Sequence, residues 1–192
     1  KVMQVTLEAI AAIAKTEEAK DSYTNAHSER VADTSVKIAK KLGWSEEKVE
    51  KLRYQALLHD IGKIGIPDRI LNKHKNLTEK EYGIMKQHVK IGADILKNLS
   101  TMEGLEEGAL YHHERWDGKG YLSGKKREEI PEAARIIAVA DTYDAMSFER
   151  IYRGSFDESH VTEEIRCGRG TQFDPKVADA LLSILAEQSD AQ

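Results

Sequence analysis

The sequence predicts an all-α domain. Only three prolines fall in 192 residues. Apolar residues recur at three- and four-residue spacing along most of the chain, with almost no alternating β pattern. A chain of this length suits one domain, or one domain with an appended helix.

Residues 2–19 read as a first helix, with Val2, Val5, Ala9 and Ile13 on one side. A second runs over 25–42, carrying His27, Val31, Thr34, Ile38 and Leu42, and stops at Gly43. Ser45 suits the N-cap of a third, whose Val49, Leu52, Ala56 and Leu57 lead into His59–Asp60. Gly62, Gly65 and Pro67 then break the chain into an irregular loop. Thr78 and Glu81 form a capping box for a helix whose stripe runs Met85, His88, Gly92 and Ile95. A helix from about 103 ends at His112–His113. Residues 114–130 form a Gly-rich loop, because Asp117, Gly118, Gly120 and Gly124 cannot all sit in regular helix. Pro131 suits the first position of the helix carrying Ile137, Asp141 and Ala145. A short helix near 158–166 and a last one from Pro175 close the chain. The expected division is a connecting helix over 1–20 and one domain over 21–192. The chain opens on Lys1 in what reads as mid-helix, so a longer parent is expected.

Composition narrows the function. A net charge of −4 argues against a binder of large nucleic acids. The single cysteine, Cys167, excludes an internal disulfide framework and fits a reducing cytoplasm. No apolar run approaches the ~20 residues that span a membrane, and no signal peptide is evident.

Chemistry concentrates in His27, His59–Asp60, His88, His112–His113 and Asp141, which take five of the seven histidines. Each sits where an apolar stripe or a tight turn points inward: His59 follows Leu52 and Ala56, His27 precedes Val31 by four, His88 follows Met85 by three, and Asp141 follows Ile137 by four. Buried ionisable groups are costly unless paired or bound to metal. Imidazole and carboxylate suit first-row divalent ions. Six or seven ligands exceed the needs of one tetrahedral ion, whereas two ions ~3.5–4 Å apart, bridged by one carboxylate, would use them all. Asp60 is the expected bridge. Trp116 and Tyr121, in the Gly-rich loop, could stack on a purine, although a plain surface connection would look similar. His74 and His160 lack an apolar stripe and are expected in solvent.

The stretches His59-Asp60-Ile61-Gly62-Lys63 and His112-His113-Glu114-Arg115-Trp116-Asp117-Gly118-Lys119-Gly120-Tyr121, with His88 between them and Val139-Ala140-Asp141 after, closely resemble the HD-GYP family. Asp21 to Thr24, His27-Ser28, Arg30-Val31 and Gly170-Thr171-Gln172-Phe173-Asp174-Pro175 extend the resemblance over about residues 20–185. It implies an HD-domain helical bundle that acts as a bacterial phosphodiesterase, linearising cyclic di-GMP to pGpG and onward to GMP. By position, His27, His59, Asp60 and Asp141 match the ligands of one ion, and Asp60, His88, His112 and His113 those of a second. Iron or manganese is the expected metal, with nickel, cobalt or zinc as alternatives. Lys63 matches a lysine on the scissile phosphate, and Arg150 and Arg153 match cationic positions that hold substrate phosphates. Read without the family, those two arginines could equally be a solvated helix face.

Three positions depart from the family. Leu122 stands where the Gly-Tyr-Pro motif has proline, Tyr23 where some members place a glutamate on a third ion, and Ile151 where proline is usual. Two rival readings follow: a hydrolase of another cyclic dinucleotide, and a catalytically weak cyclic di-GMP receptor or protein-interaction module. The N-terminal stripe suits a homodimer contact, the tail of a signalling helix from an upstream sensor domain, or simple packing.

Overall fold

The computed structural model describes residues 12–13, 26–99, 102–152 and 158–190. Within them the chain is helical, with no strand. In order come α1 (His27–Lys41), α2 (Glu46–Leu57), a 3-10 turn (Ile61–Gly65), α3 (Asp68–Leu71), α4 (Glu79–Met85), α5 (His88–Leu96) and α6 (Glu106–Tyr111). A second 3-10 turn (Arg127–Glu129), α7 (Glu132–Tyr152), α8 (Glu158–Gly168) and α9 (Pro175–Asp190) complete it. The expected first helix lies outside the described residues, apart from Ala12 and Ile13, which are helical and exposed.

Helix ends follow local chemistry. α1 stops at Gly43, whose φ of 79° costs a glycine nothing, and the Trp44 N–H reaches back to Ala39 O at 3.1 Å. Thr78 and Glu81 form the expected capping box. The helix expected through 95 is two helices instead. His88 Nδ1 lies 2.8 Å from Met85 O, so the ring occupies a carbonyl that the next turn would otherwise use. Ile95, expected on the buried stripe, is 40% exposed.

One core joins α1, α2, α7 and α9 through Val31, Ile38, Leu52, Ile136, Ile137 and Leu181, all fully or nearly fully buried. Each such side chain contributes about 1.5–3 kcal/mol through burial. A smaller cluster of Tyr54, Leu58, Ile61, Leu96, Leu105 and Ala109 ties α2 to the first 3-10 turn, α5 and α6. His59 follows α2 between the two clusters. α5 lies hard against the first 3-10 turn: a Cβ on Gly62 would stand 1.9 Å from His88 O. That approach sets His88 opposite His59–Asp60.

Candidate metal centre

Four helix ends and one helix middle bring the seven expected residues together. His27 opens α1, His59–Asp60 follow α2, His88 opens α5, His112–His113 follow α6, and Asp141 lies within α7. Ligand-capable atoms of Asp60, His88, His112 and His113 lie within 4.8 Å of one another, and so do those of His27, His59 and Asp60. Asp60 belongs to both groups. Its Oδ1 is 3.3 Å from His88 Nε2 and 3.6 Å from His112 Nε2, while Oδ2 is 3.4 Å from His59 Nε2. Asp141 Oδ1 is 3.2 Å from His27 Nε2 and 3.9 Å from His59 Nε2.

Three of the rings are oriented by main-chain carbonyls of the turn that precedes them. His59 Nδ1 is 2.7 Å from Ala56 O, and His112 Nδ1 is 3.0 Å from both Gly108 O and Ala109 O. With His88 on Met85 O, three imidazoles place Nδ1–H on a carbonyl, because a carbonyl only accepts. Their Nε2 lone pairs then face inward. His59 Nε2 and Asp60 Oδ1 are buried with no hydrogen-bond partner. Such orphaned atoms are costly unless something binds them, and here both stand in the ligand sets. The residues present therefore fit divalent metal.

Electrostatics agree. Burial alone would raise the Asp60 carboxyl, yet Lys63 and His59 hold it well below the usual carboxylate range. Lys63 Nζ is 2.7 Å from Asp60 Oδ2. Asp141 is likewise depressed against its burial, by His27 and His59. Burial and the neighbouring His112 push His113 down to about 2, so it stays neutral. His27 goes the other way: burial opposes its charge, but Asp141 and Asp144 push it up to about 10.

Beside the cluster a cavity of about 210 Å³ is lined by Tyr82, His113, Lys119, Tyr121, Asp141 and Gln172, among others. Tyr121 stacks on His113, centroids 4.8 Å apart, and burial raises its hydroxyl above the ordinary range. Trp116 is not part of that lining: its indole faces the Arg135 guanidinium, 5.7 Å from the ring centroid. The main chain there is joined to the turn before α9, with Trp116 N–H on Gln172 O at 3.1 Å and Asp117 N–H on Thr171 O at 2.8 Å. Arg150 lies on the backbone of α7, and Arg153 lies outside the described residues, as do Asp21 and Tyr23. His74 and His160 are exposed, as expected.

Three polar residues were not singled out from the sequence. Buried Glu114 accepts N–H bonds from Ser123 at 2.7 Å and Gly124 at 3.2 Å, which holds the Gly-rich loop closed. Asp144 and Arg30 meet behind His27. Their signal was spacing: each follows an expected ligand by three residues, one turn along the same face.

Residues 11–177 match the HD-domain family. A cyclic di-GMP phosphodiesterase of Thermotoga maritima is 45% identical over 90% of this chain and 48% of its own length. A 3'3'-cGAMP-specific phosphodiesterase of Vibrio cholerae is 36% identical over 88% of this chain and 33% of its own. The chain thus spans about half, or less, of these curated relatives. The fold is similar to a solved structure of a cyclic GMP-AMP specific phosphodiesterase of V. cholerae, at TM-score 0.74 and 20% identity, over 95% of this chain and 49% of that one. The family match runs through every helix that delivers a residue to the centre, and on that ground the chain belongs to the HD-domain family.

Proposed function

We propose that the chain is the catalytic domain of a cyclic di-GMP phosphodiesterase, yielding pGpG, GMP or both. The observation that carries this is Asp60, shared by two groups of ligand-capable atoms with Lys63 on its outer oxygen. His27, His59, Asp60 and Asp141 would hold one ion, and Asp60, His88, His112 and His113 a second, iron or manganese. Such ions supply a hydrolytic nucleophile at neutral pH and offset charge on phosphate oxygens.

The chain's own side chains do the rest. Lys63 places a cation beside the carboxylate that both sets share, where it can hold a non-bridging phosphate oxygen and offset charge that grows there. Lys119 brings a further cation to the wall of the cavity. Lys63, Tyr121, Arg150 and Arg153 contact substrate in this reading, while Trp116, packed on Arg135, supports the loop. In this reading 21–192 is the domain, and the apolar stripe of residues 1–20, mostly outside the described residues, serves as a link to an upstream sensor domain, a homodimer contact or packing onto the domain. A cytoplasmic setting suits this substrate, and no helix among the described residues is long and apolar enough to cross a membrane.

The test is turnover of cyclic di-GMP by protein reconstituted anaerobically with Fe(II) or Mn(II), with Asp60→Ala as the blank and products separated by chromatography. Linear product from the intact ligand set alone is expected. Intact substrate from metal-loaded protein would favour the receptor reading. The relative named as 3'3'-cGAMP-specific supports one rival, a hydrolase of another cyclic dinucleotide. Parallel assays with guanine- and adenine-containing cyclic dinucleotides separate the two.

A further inference from the structure

The clustered histidines are not all oriented by the same means. His59, His88 and His112 each place Nδ1 on a main-chain carbonyl. His27, the first residue of α1, is the exception. Its Nδ1 lies instead 2.7 Å from Oδ2 of Asp144, a buried carboxylate on the neighbouring helix α7. Asp144 is itself fixed. Arg30, one turn along α1 from His27, donates from Nε to Oδ1 at 2.6 Å and from Nη2 to Oδ2 at 2.9 Å.

We propose that Asp144, held by Arg30, is the positioning residue for His27. It fixes the proton on Nδ1 and the plane of the ring, so that Nε2, 3.2 Å from Asp141 Oδ1, presents its lone pair to the metal centre. This rests on the reading of His27 as a ligand. A carboxylate is required at 144 because both oxygens accept from donors: Oδ1 from Arg30, Oδ2 from Arg30 and His27. An asparagine would turn its NH2 either against Arg30 Nε or toward His27 Nδ1, and the second arrangement puts the histidine proton on the wrong nitrogen. Outer partners of metal-bound histidines are worth about 10–100-fold in metal affinity. The arginine fork adds geometry that a lysine cannot reproduce.

Metal-free wild type, Asp60→Ala, Asp144→Ala, Asp144→Asn and Arg30→Lys are titrated with zinc against a chromophoric chelator. Circular dichroism checks that each is folded. Zinc is diamagnetic, so long-range proton–nitrogen spectra of the loaded proteins also report which nitrogen of His27 carries the proton. The expected result is one zinc bound about 10–100-fold more weakly in both Asp144 variants, the other zinc unchanged, and a smaller loss of the same zinc in Arg30→Lys. Wild-type spectra are expected to show the proton on Nδ1. Should Asp144→Ala not fold, the isosteric Asp144→Asn decides. Wild-type zinc affinity in Asp144→Asn, or a His27 proton on Nε2 in loaded wild type, overturns the proposal while leaving the metal centre intact. Equal zinc uptake by wild type and Asp60→Ala overturns the ligand reading, and the proposal with it.

Discussion

Lys63 and Asp60 form a short ion pair, 2.7 Å between Nζ and Oδ2, across one turn of 3-10 helix. The pair sets a cation at the rim of the ligand cluster, beside the carboxylate common to both groups. Lys63→Met is expected to lower kcat about 100–1,000-fold, the usual cost of losing one donor to developing charge. KM and metal content stay near wild type. Steady-state kinetics with metal analysis checks this; a change confined to KM would move Lys63 to ground-state binding.

Removal of metal is expected to cost stability. A ligand at about 100 times its Kd contributes roughly 2.7 kcal/mol, equivalent to about 5–10 °C in a domain of this size. Thermal melts before and after chelation measure it. Asp60→Asn should melt at one temperature with or without chelator, because an amide cannot replace the shared carboxylate.

In the metal-free protein, stability depends on pH through His27. Its folded pKa, about 10, is raised above the ordinary 6.5. Its contribution is therefore fully present below about pH 6.5 and lost as pH rises through about 10. Urea unfolding of wild type and His27→Gln should show the largest gap near pH 6 and almost none above pH 10. A gap that widens with pH would contradict the assignment.

Gly62→Ala tests how closely α5 is seated. The added carbon would meet His88 O at 1.9 Å and Gly92 N at 2.5 Å, both main-chain atoms. Destabilisation of about 3 kcal/mol or more is expected, at the upper end for overpacking. Gly83→Ala, with nothing within 4 Å of the added carbon, is the control and should be stable. Denaturant midpoints decide.

Leu122→Pro is expected to change turnover less than about threefold. Leu122 is 42% exposed, and the loop around it is held from either side, by Glu114 on Ser123 and Gly124 and by Tyr121 on His113. Proline mainly constrains φ and removes a donor. Glu114→Ala, which removes the one oxygen that accepts from both N–H groups, should cost far more. A large gain from Leu122→Pro would show that leucine, and not the clamp, limits the loop.

Much of this arrangement was legible in the sequence because ligands on apolar stripes obey the same periodicity as the core. His27, His59, His88 and Asp141 could each be placed inward from a neighbour three or four residues away. Non-local effects were not legible. The split between α4 and α5 depends on a ring taking a carbonyl, which hydropathy does not register. The packing of Trp116 on Arg135 was not legible either, because Arg135 comes from a helix that only the fold brings near. Asp144 stands one turn past Asp141, but its pairing with His27 and Arg30 was hidden for the same reason, since both lie more than a hundred residues earlier.

The two main-chain bonds from Trp116 and Asp117 to Gln172 and Thr171 join the Gly-rich loop to the entrance of α9. Hydrogen exchange should therefore class these amides with the C-terminal helix pair rather than with a glycine loop. Openings that release the wall of the cavity have to lift the 168–173 turn as well, so the two segments form one cooperative unit. A loop that by composition looks free to wander is governed by the stability of helices fifty residues further on.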